Sequence, residues 1–237
     1  MIIIDDNFES IVSGVEEGRI AYANIRKILC FLLSCGLSEA LFFCLSIFLG
    51  LPMPLTAVQF LWLNIVTDGL QDFALSFERG EEDILRDKPR NPKESIFDKS
   101  LLRSILSNGL MMTLIVFAVW LLLLKGMELD EVQARSYVMC LIVFMQNLFV
   151  LSCRSEKRSI FSVPLLRNPI VFLTIIGNIL LQLIVMHFTP LSELLDAEVV
   201  PMAHLAVLFG ISFLILPMVE LFKLVRKLIS PEKRTQE

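Results

Sequence analysis

Two apolar stretches of this chain carry side chains whose types and spacing suit the holding of a cation. Glu39 lies in the run 28–49, and the motif WLNIVTDGLQD at 62–72 sets Asn64, Thr67, Asp68 and Asp72 inside the run 55–75. Glu39 is about 11 residues from the start of its run, and Asn64 is about nine from the start of the next. If both runs are antiparallel helices, each residue sits roughly 16 Å from the same membrane face. Asn64, Thr67 and Asp68 follow the i, i+3, i+4 pattern and share one helix face. Two carboxylates, an amide and a hydroxyl then converge, and neither run contains a Lys or Arg to pair with them. Like charges gather in low dielectric only when protons or a cation neutralise them. An oxygen-only donor set favours hard cations such as calcium, sodium or potassium over copper or zinc. Asp72, near the inner boundary, is a further candidate that is either solvated or marks an access path. Gly69 is expected to loosen the helix beside Asp68 and free backbone carbonyls as additional ligands.

The elements that must position these groups are membrane helices. Of the 237 residues 55% are hydrophobic and the mean hydropathy is +0.71, above the level of an ordinary soluble domain. Six runs reach the length of about 20 residues that a span requires. They are 28–49, 55–75, 105–124, 136–151, 169–188 and 202–225. They lack alternation and are Leu-rich, which excludes strands. The fold class expected is an all-α membrane bundle of six transmembrane helices, preceded by a cytoplasmic stalk helix over residues 9–27. GLPMP at 50–54 makes a short outer turn between the first two spans.

Charge sets the orientation. Of 21 Lys and Arg, only Lys125 and Arg135 fall in the three loops on one side. By the positive-inside rule both termini are cytoplasmic, including the tail 226–237. No aromatic-interleaved basic patch suggests nucleic acid as a partner, and no cleavable signal peptide is evident at the N-terminus. Cys30, Cys35, Cys44, Cys140 and Cys153 form no CxxC pair and are expected to be small buried hydrophobes. Asn147, Asn178 and Gln182 are expected to bond neighbouring helices.

DDNFESIVSGVEEGRIAYANIRK, then LSEALFFCLSIFLGLPMPLTAVQFLWLNIVTDGL, then ILRDKPRNPKESIF, resemble the last part of P-type cation-transporting ATPases. The likeness is greatest to the calcium-pump-like branch of sarcoplasmic-reticulum type. The resemblance implies that residues 1–27 hold the end of the phosphorylation-domain hinge and the stalk, and that 28–225 supply the last six of ten membrane helices. It implies cation ligands at Glu39 in the family's fifth helix and at Asn64, Thr67 and Asp68 in the sixth, with calcium as the transported ion. It also implies that RDKPRNPKE forms the cytoplasmic loop near the phosphorylation domain. Three positions depart from the pattern. Gly36 stands where two-site calcium pumps carry asparagine, Gln71-Asp72 stands where they carry Pro-Ala, and residues 144–153 lack the acid of the eighth helix. These departures imply a single-site pump.

The chain contains no DKTGT, TGDGxND or TGES motif, so magnesium, ATP and phosphoryl transfer would come only through actuator, nucleotide-binding and phosphorylation domains outside it. The reading is therefore the C-terminal transport portion of a P-type cation ATPase, a fragment or half of a split gene, in the plasma membrane. The alternatives are a stand-alone cation-binding membrane subunit without ATPase activity, or an inactive remnant.

Overall fold

The computed structural model describes residues 8–80, 84–85, 95–156 and 158–229. The expectations for the hinge at 1–7, for RDKPRNPKE and for the end of the tail from 230 lie outside the described residues. All regular structure among the described residues is helical: α1 (Phe8–Phe48), α2 (Ala57–Trp62), a π-helical segment (Leu63–Asp68), α3 (Gly69–Ser76), α4 (Lys99–Leu121), α5 (Glu131–Cys153), α6 (Pro169–His187), α7 (Thr189–Leu194), α8 (Met202–Ser212) and α9 (Ile215–Ile229), with short 3-10 and π turns between.

Among the described residues, five helical stretches are long and apolar enough to cross a membrane: Glu9–Phe48, Lys99–Gly126, Glu131–Cys153, Pro169–His187 and Met202–Leu228. The remaining run of the six, 55–75, is helical from 57 to 76, and at about 1.5 Å per residue it has the length of a span. It is less apolar because it carries Asn64, Asp68, Gln71 and Asp72. The side chains that make it interesting chemically are the ones that weaken its membrane signal.

α1 runs without interruption for 41 residues, so the segment expected as a stalk and the first apolar run are one rod. It ends where Gly50 takes φ +63, a left-handed conformation that costs glycine nothing. There the Leu51 N–H closes back on the Ser46 carbonyl at 2.9 Å. After the prolines, Thr56 and Gln59 cap α2 reciprocally. Gln59 also donates to the Leu195 carbonyl at 2.9 Å, pinning the start of α2 to the loop before α8.

α5 is the axis of the bundle. It touches α1, α3, α4, α6, α8 and α9, and every residue from Ser136 to Val150 is buried. In lipid the hydrophobic effect does not drive helices together, so close packing and interhelical hydrogen bonds must do so. Gly109 shows the packing: a Cβ there would lie 2.9 Å from the Leu37 side chain, so glycine lets α4 approach α1. Thr113 beside it donates to the Ser38 carbonyl at 3.3 Å. The outward faces are apolar and exposed, with Leu102, Leu106, Leu110 and Leu114 forming one row along α4, as suits a lipid-facing surface.

The last run, expected as one span over 202–225, is divided at Phe213–Leu214 into α8 and α9. Pro217 has no N–H to return to the Phe213 carbonyl, and the Phe213 and Leu214 N–H groups bond three residues back instead of four. Beside the start of α4 and the end of α5, Arg26 of α1 pairs with Glu156 at 2.8 Å and Asp98 at 3.2 Å. Burial disfavours the Asp98 carboxylate, but the Leu101 N–H and Arg26 outweigh it and hold that group below its usual range.

Candidate functional site

Glu39 is 2% exposed on α1 and faces α2–α3 and α5. Asn64 Nδ2 donates to Glu39 Oε2 at 3.1 Å, and Gln146 Nε2 of α5 donates to Oε1 at 3.1 Å. The two levels inferred from counting residues therefore do meet. Asn64 Nδ2 also reaches the Phe60 carbonyl at 3.0 Å.

Asp68 is fully buried, and among the described residues neither of its carboxylate oxygens has a hydrogen-bond partner. It lies within coulombic reach of Glu39 and of Asp72. Asp72 is half-buried, with Oδ1 enclosed and unpartnered. No Lys or Arg among the described residues pairs with Glu39 or Asp68.

The residues from Leu63 to Asp68 are π-helical. An i→i+5 ladder widens the helix, a feature common at functional sites. The expectation of a loosened helix takes this form: Gly69 is itself in ordinary right-handed helical geometry, so the segment is widened and not broken. Thr67 is 1% exposed, and its backbone carbonyl accepts from Asn178 Nδ2 of α6 at 3.3 Å.

Around this segment runs a buried amide network. Gln71 donates to Asn147 Oδ1 at 2.6 Å, Thr174 donates to Gln71 Oε1 at 3.0 Å, and Asn178 donates to Asn147 Oδ1 at 3.3 Å. Asn147 and Asn178 bridge helices as expected, and Gln182 does so by accepting from Trp62 Nε1 at 3.1 Å. Gln146 is a site neighbour that the sequence reading does not find. That reading looks for an acid in 144–153, while a glutamine in an otherwise apolar span is the available signal.

The atoms left over share one character. Both Asp68 oxygens, Asp72 Oδ1, Gln146 Oε1 and Asn178 Oδ1 are buried oxygens without a donor among the described residues. Buried polar atoms are almost always satisfied; unpartnered ones occur elsewhere in the bundle too, Trp120 Nε1 among them, but the five around this segment are all oxygens, which complement a bound cation or protons. No three His, Cys, Asp or Glu among the described residues already stand at metal-holding distance. A complete shell here would need amide or carbonyl oxygens, or a small closing movement of the carboxylates.

Comparison with known proteins gives this arrangement a context. The family model for the C-terminus of cation-transporting ATPases matches residues 52–225. The calcium-transporting ATPase of Bacillus subtilis is 33% identical over 216 residues, covering 90% of this chain and 24% of that protein. The human calcium-transporting ATPase type 2C member 1 is 32% identical over 232 residues, covering 96% and 25%. Calcium-transporting ATPase 1 of Bacillus cereus is 30% identical over 242 residues, covering 96% and 27%. The chain spans about a quarter of the length of these relatives. With an all-helical bundle, helices able to cross a membrane and a match over most of its length, the chain is an integral membrane protein that belongs to the P-type cation-transporting ATPase family and corresponds to its C-terminal membrane region.

Proposed function

We propose that this chain carries the cation through the membrane in a calcium-transporting ATPase, with Glu39, Asn64, Thr67 and Asp68 as ligands and Asp72 as a carboxylate on the cytoplasmic approach. The observation that carries the reading is the Asp68 carboxylate, wholly buried with both oxygens unpartnered among the described residues. A cation supplies what the protein withholds there. Calcium is the ion because the donors are oxygens and because the relatives named above are calcium-transporting ATPases.

In this reading the free site is held by amide donors. Asn64 and Gln146 present nitrogen to Glu39, and loading would turn their oxygens toward the ion. The π-helical segment, with one looser turn, is the place where such a turn costs least. The long α1 would transmit movement from cytoplasmic domains, since stalk and ligand helix are one element. ATP hydrolysis would be the work of actuator, nucleotide-binding and phosphorylation domains, and magnesium would act with them. Both termini are assigned to the cytoplasm from the distribution of Lys and Arg, and the plasma membrane is the proposed location.

The test is calcium binding to the full 237-residue chain in lipid nanodiscs, followed by radiocalcium retention. Saturable binding that falls about 100-fold or more in Asp68→Asn, a loss of about 2.7 kcal/mol, supports the assignment. Unaltered binding in that variant would remove Asp68 from the site. Co-expression with the complementary N-terminal region of a relative should then restore calcium-stimulated ATP hydrolysis.

A further inference from the structure

Cys30 and Cys153 are remote in sequence and read there as two separate packing residues, but the fold sets them side by side. Two contacts fix the antiparallel register of α1 and α5. Arg26 Nε meets Glu156 Oε1 at 2.8 Å, and the rings of Phe31 and Phe149 stack with centroids 5.8 Å apart. Cys30 lies one helical turn past Arg26, and Cys153 lies one turn past Phe149. The two thiols therefore fall between these contacts, one from each helix, and they hydrogen-bond each other. Both are buried and free.

They also share a cavity. Cys30, Cys153, Asn108, Ser152 and Lys223 line a space of about 30 Å³, where a single water needs about 10–15 Å³. Asn108 Nδ2 donates to Cys30 Sγ at 3.9 Å, while Asn108 Oδ1 and Ser152 Oγ, both buried, have no hydrogen-bond partner among the described residues. A thiol pair thus borders a polar pocket with unused hydrogen-bonding atoms, of a size for a very small polar molecule.

We propose that Cys30 and Cys153 are a redox-active dithiol: the pocket admits a small hydroperoxide, and the pair is oxidised to a disulfide that ties α1 to α5. One sulfur attacks a peroxide oxygen and becomes S–OH; the O–O bond breaks, and the other oxygen leaves as water with the proton of that thiol. The second sulfur then attacks the first. The S–O bond breaks, the S–S bond forms, and a second water leaves with the remaining thiol proton. Two electrons pass from the two sulfurs to the two peroxide oxygens, and a thiol reductant reverses the bond by exchange. The disulfide staples the rod that carries Glu39 to the helix whose Gln146 donates to Glu39 at 3.1 Å. The dithiol chemistry stands apart from the carrier reading; its effect on calcium rests on that reading.

The experiment exposes the full chain in nanodiscs to graded hydrogen peroxide, removes the excess with catalase, and alkylates the remaining thiols in dodecyl sulfate before peptide mass mapping. The expected result is a Cys30–Cys153 cross-linked peptide two hydrogens lighter than its parts, formed at about tenfold lower peroxide than modifies the exposed Cys44. Dithiothreitol restores both thiols. In Cys153→Ser the cross-link is absent, and dimedone traps Cys30 as its sulfenic acid. Calcium release from the oxidised chain should slow about tenfold and recover on reduction, with no such change in Cys153→Ser.

Oxidation of Cys44 while Cys30 and Cys153 are still fully alkylated would overturn the proposal, as would a bond from either one to a different cysteine. A disulfide that forms as proposed but leaves calcium release unaltered would overturn its regulatory effect. If the reduced chain binds no calcium, the carrier reading fails while the cross-link result decides the dithiol by itself.

Discussion

Two buried carboxylates ten positions apart, Asp68 and Glu78, are treated by the fold in opposite ways. Glu78 is 2% exposed and receives Arg154 as a fork, Nε to Oε2 at 3.0 Å and Nη2 to Oε1 at 3.1 Å, with Asn168 Nδ2 at 3.2 Å on the same Oε2. Asn24 of α1 donates to the Glu78 carbonyl at 2.7 Å. Asp68 is as deeply buried and has no donor among the described residues. The first is a finished joint, tying the end of the candidate ligand helix to α1, α5 and the start of α6. The second is unfinished. Burial of charge alone therefore does not single out the candidate ligands in this molecule; the proposed site rests on a carboxylate that is buried and also without a partner among the described residues.

The sharpest way to break the comparison is to make Glu78 resemble Asp68. Arg154→Ala leaves a buried carboxylate without its cation, and such losses cost about 3–5 kcal/mol. Chemical denaturation in mixed micelles should show that drop, and Arg154→Met combined with Glu78→Leu should recover most of it. If Arg154→Ala unfolds like the unsubstituted chain, the joint carries no load. Asp68→Asn is the converse experiment. Removing an unsatisfied charge should leave the ion-free fold unchanged or raise its stability by about 1 kcal/mol, even as calcium affinity collapses. A strong destabilisation by Asp68→Asn would mean that the carboxylate has a structural partner after all.

A smaller effect separates the two residues of the acidic pair on the candidate ligand helix. Asp72 is half-buried, where Asp68 is sealed. Asp72→Asn should lower apparent calcium affinity about three- to tenfold without abolishing binding, because an approach carboxylate adds attraction but not coordination. Radiocalcium binding at graded ionic strength measures this directly: the deficit should shrink as salt rises. A loss as complete as that of Asp68→Asn would make Asp72 a ligand.

How much of this is legible in the sequence follows from the range of the interactions. Local periodicity and length yield α1 and α6 to within a residue or so, while α4 and α5 begin about six and five residues before the apolar runs that signal them, because their first turns are polar. The counted depths of Glu39 and Asn64 lead to a real contact, since both depend only on helix rise. The joint at Glu78 is not visible. Arg154 lies 76 positions from it and reads as one more cytoplasmic loop charge, and nothing in sequence tells a solvated arginine from a buried one. Gln146 reaches Glu39 across 107 positions and escapes for the same reason. The π-helical turn Leu63–Asp68 has no composition of its own by which the sequence would announce it. The break before α9 is legible in Pro217, but the hydropathy of the run is continuous across it and hides the division.

The smallest effect places a third carboxylate between these extremes. Asp98 caps α4 by accepting from the Leu101 N–H at 2.7 Å and pairs with Arg26, but it is partly exposed and shares that guanidinium with Glu156. Its folded-state pKa is below the ordinary aspartate value, so its contribution is present above that value and is lost as pH falls through the lowered one. Asp98→Asn keeps the cap and loses the charge. Unfolding free energies of the two proteins should therefore differ by about 1 kcal/mol or less at neutral pH and converge in acid. Asp98→Ala should lose about 1 kcal/mol more at every pH, because the cap goes with it. A difference between the unsubstituted chain and the Asp98→Asn variant that grows on acidification would mean that the Arg26 pair does not favour the charged form. Partner satisfaction at this surface joint would then count for less than it does at Glu78, and the contrast with Asp68 would rest on depth alone.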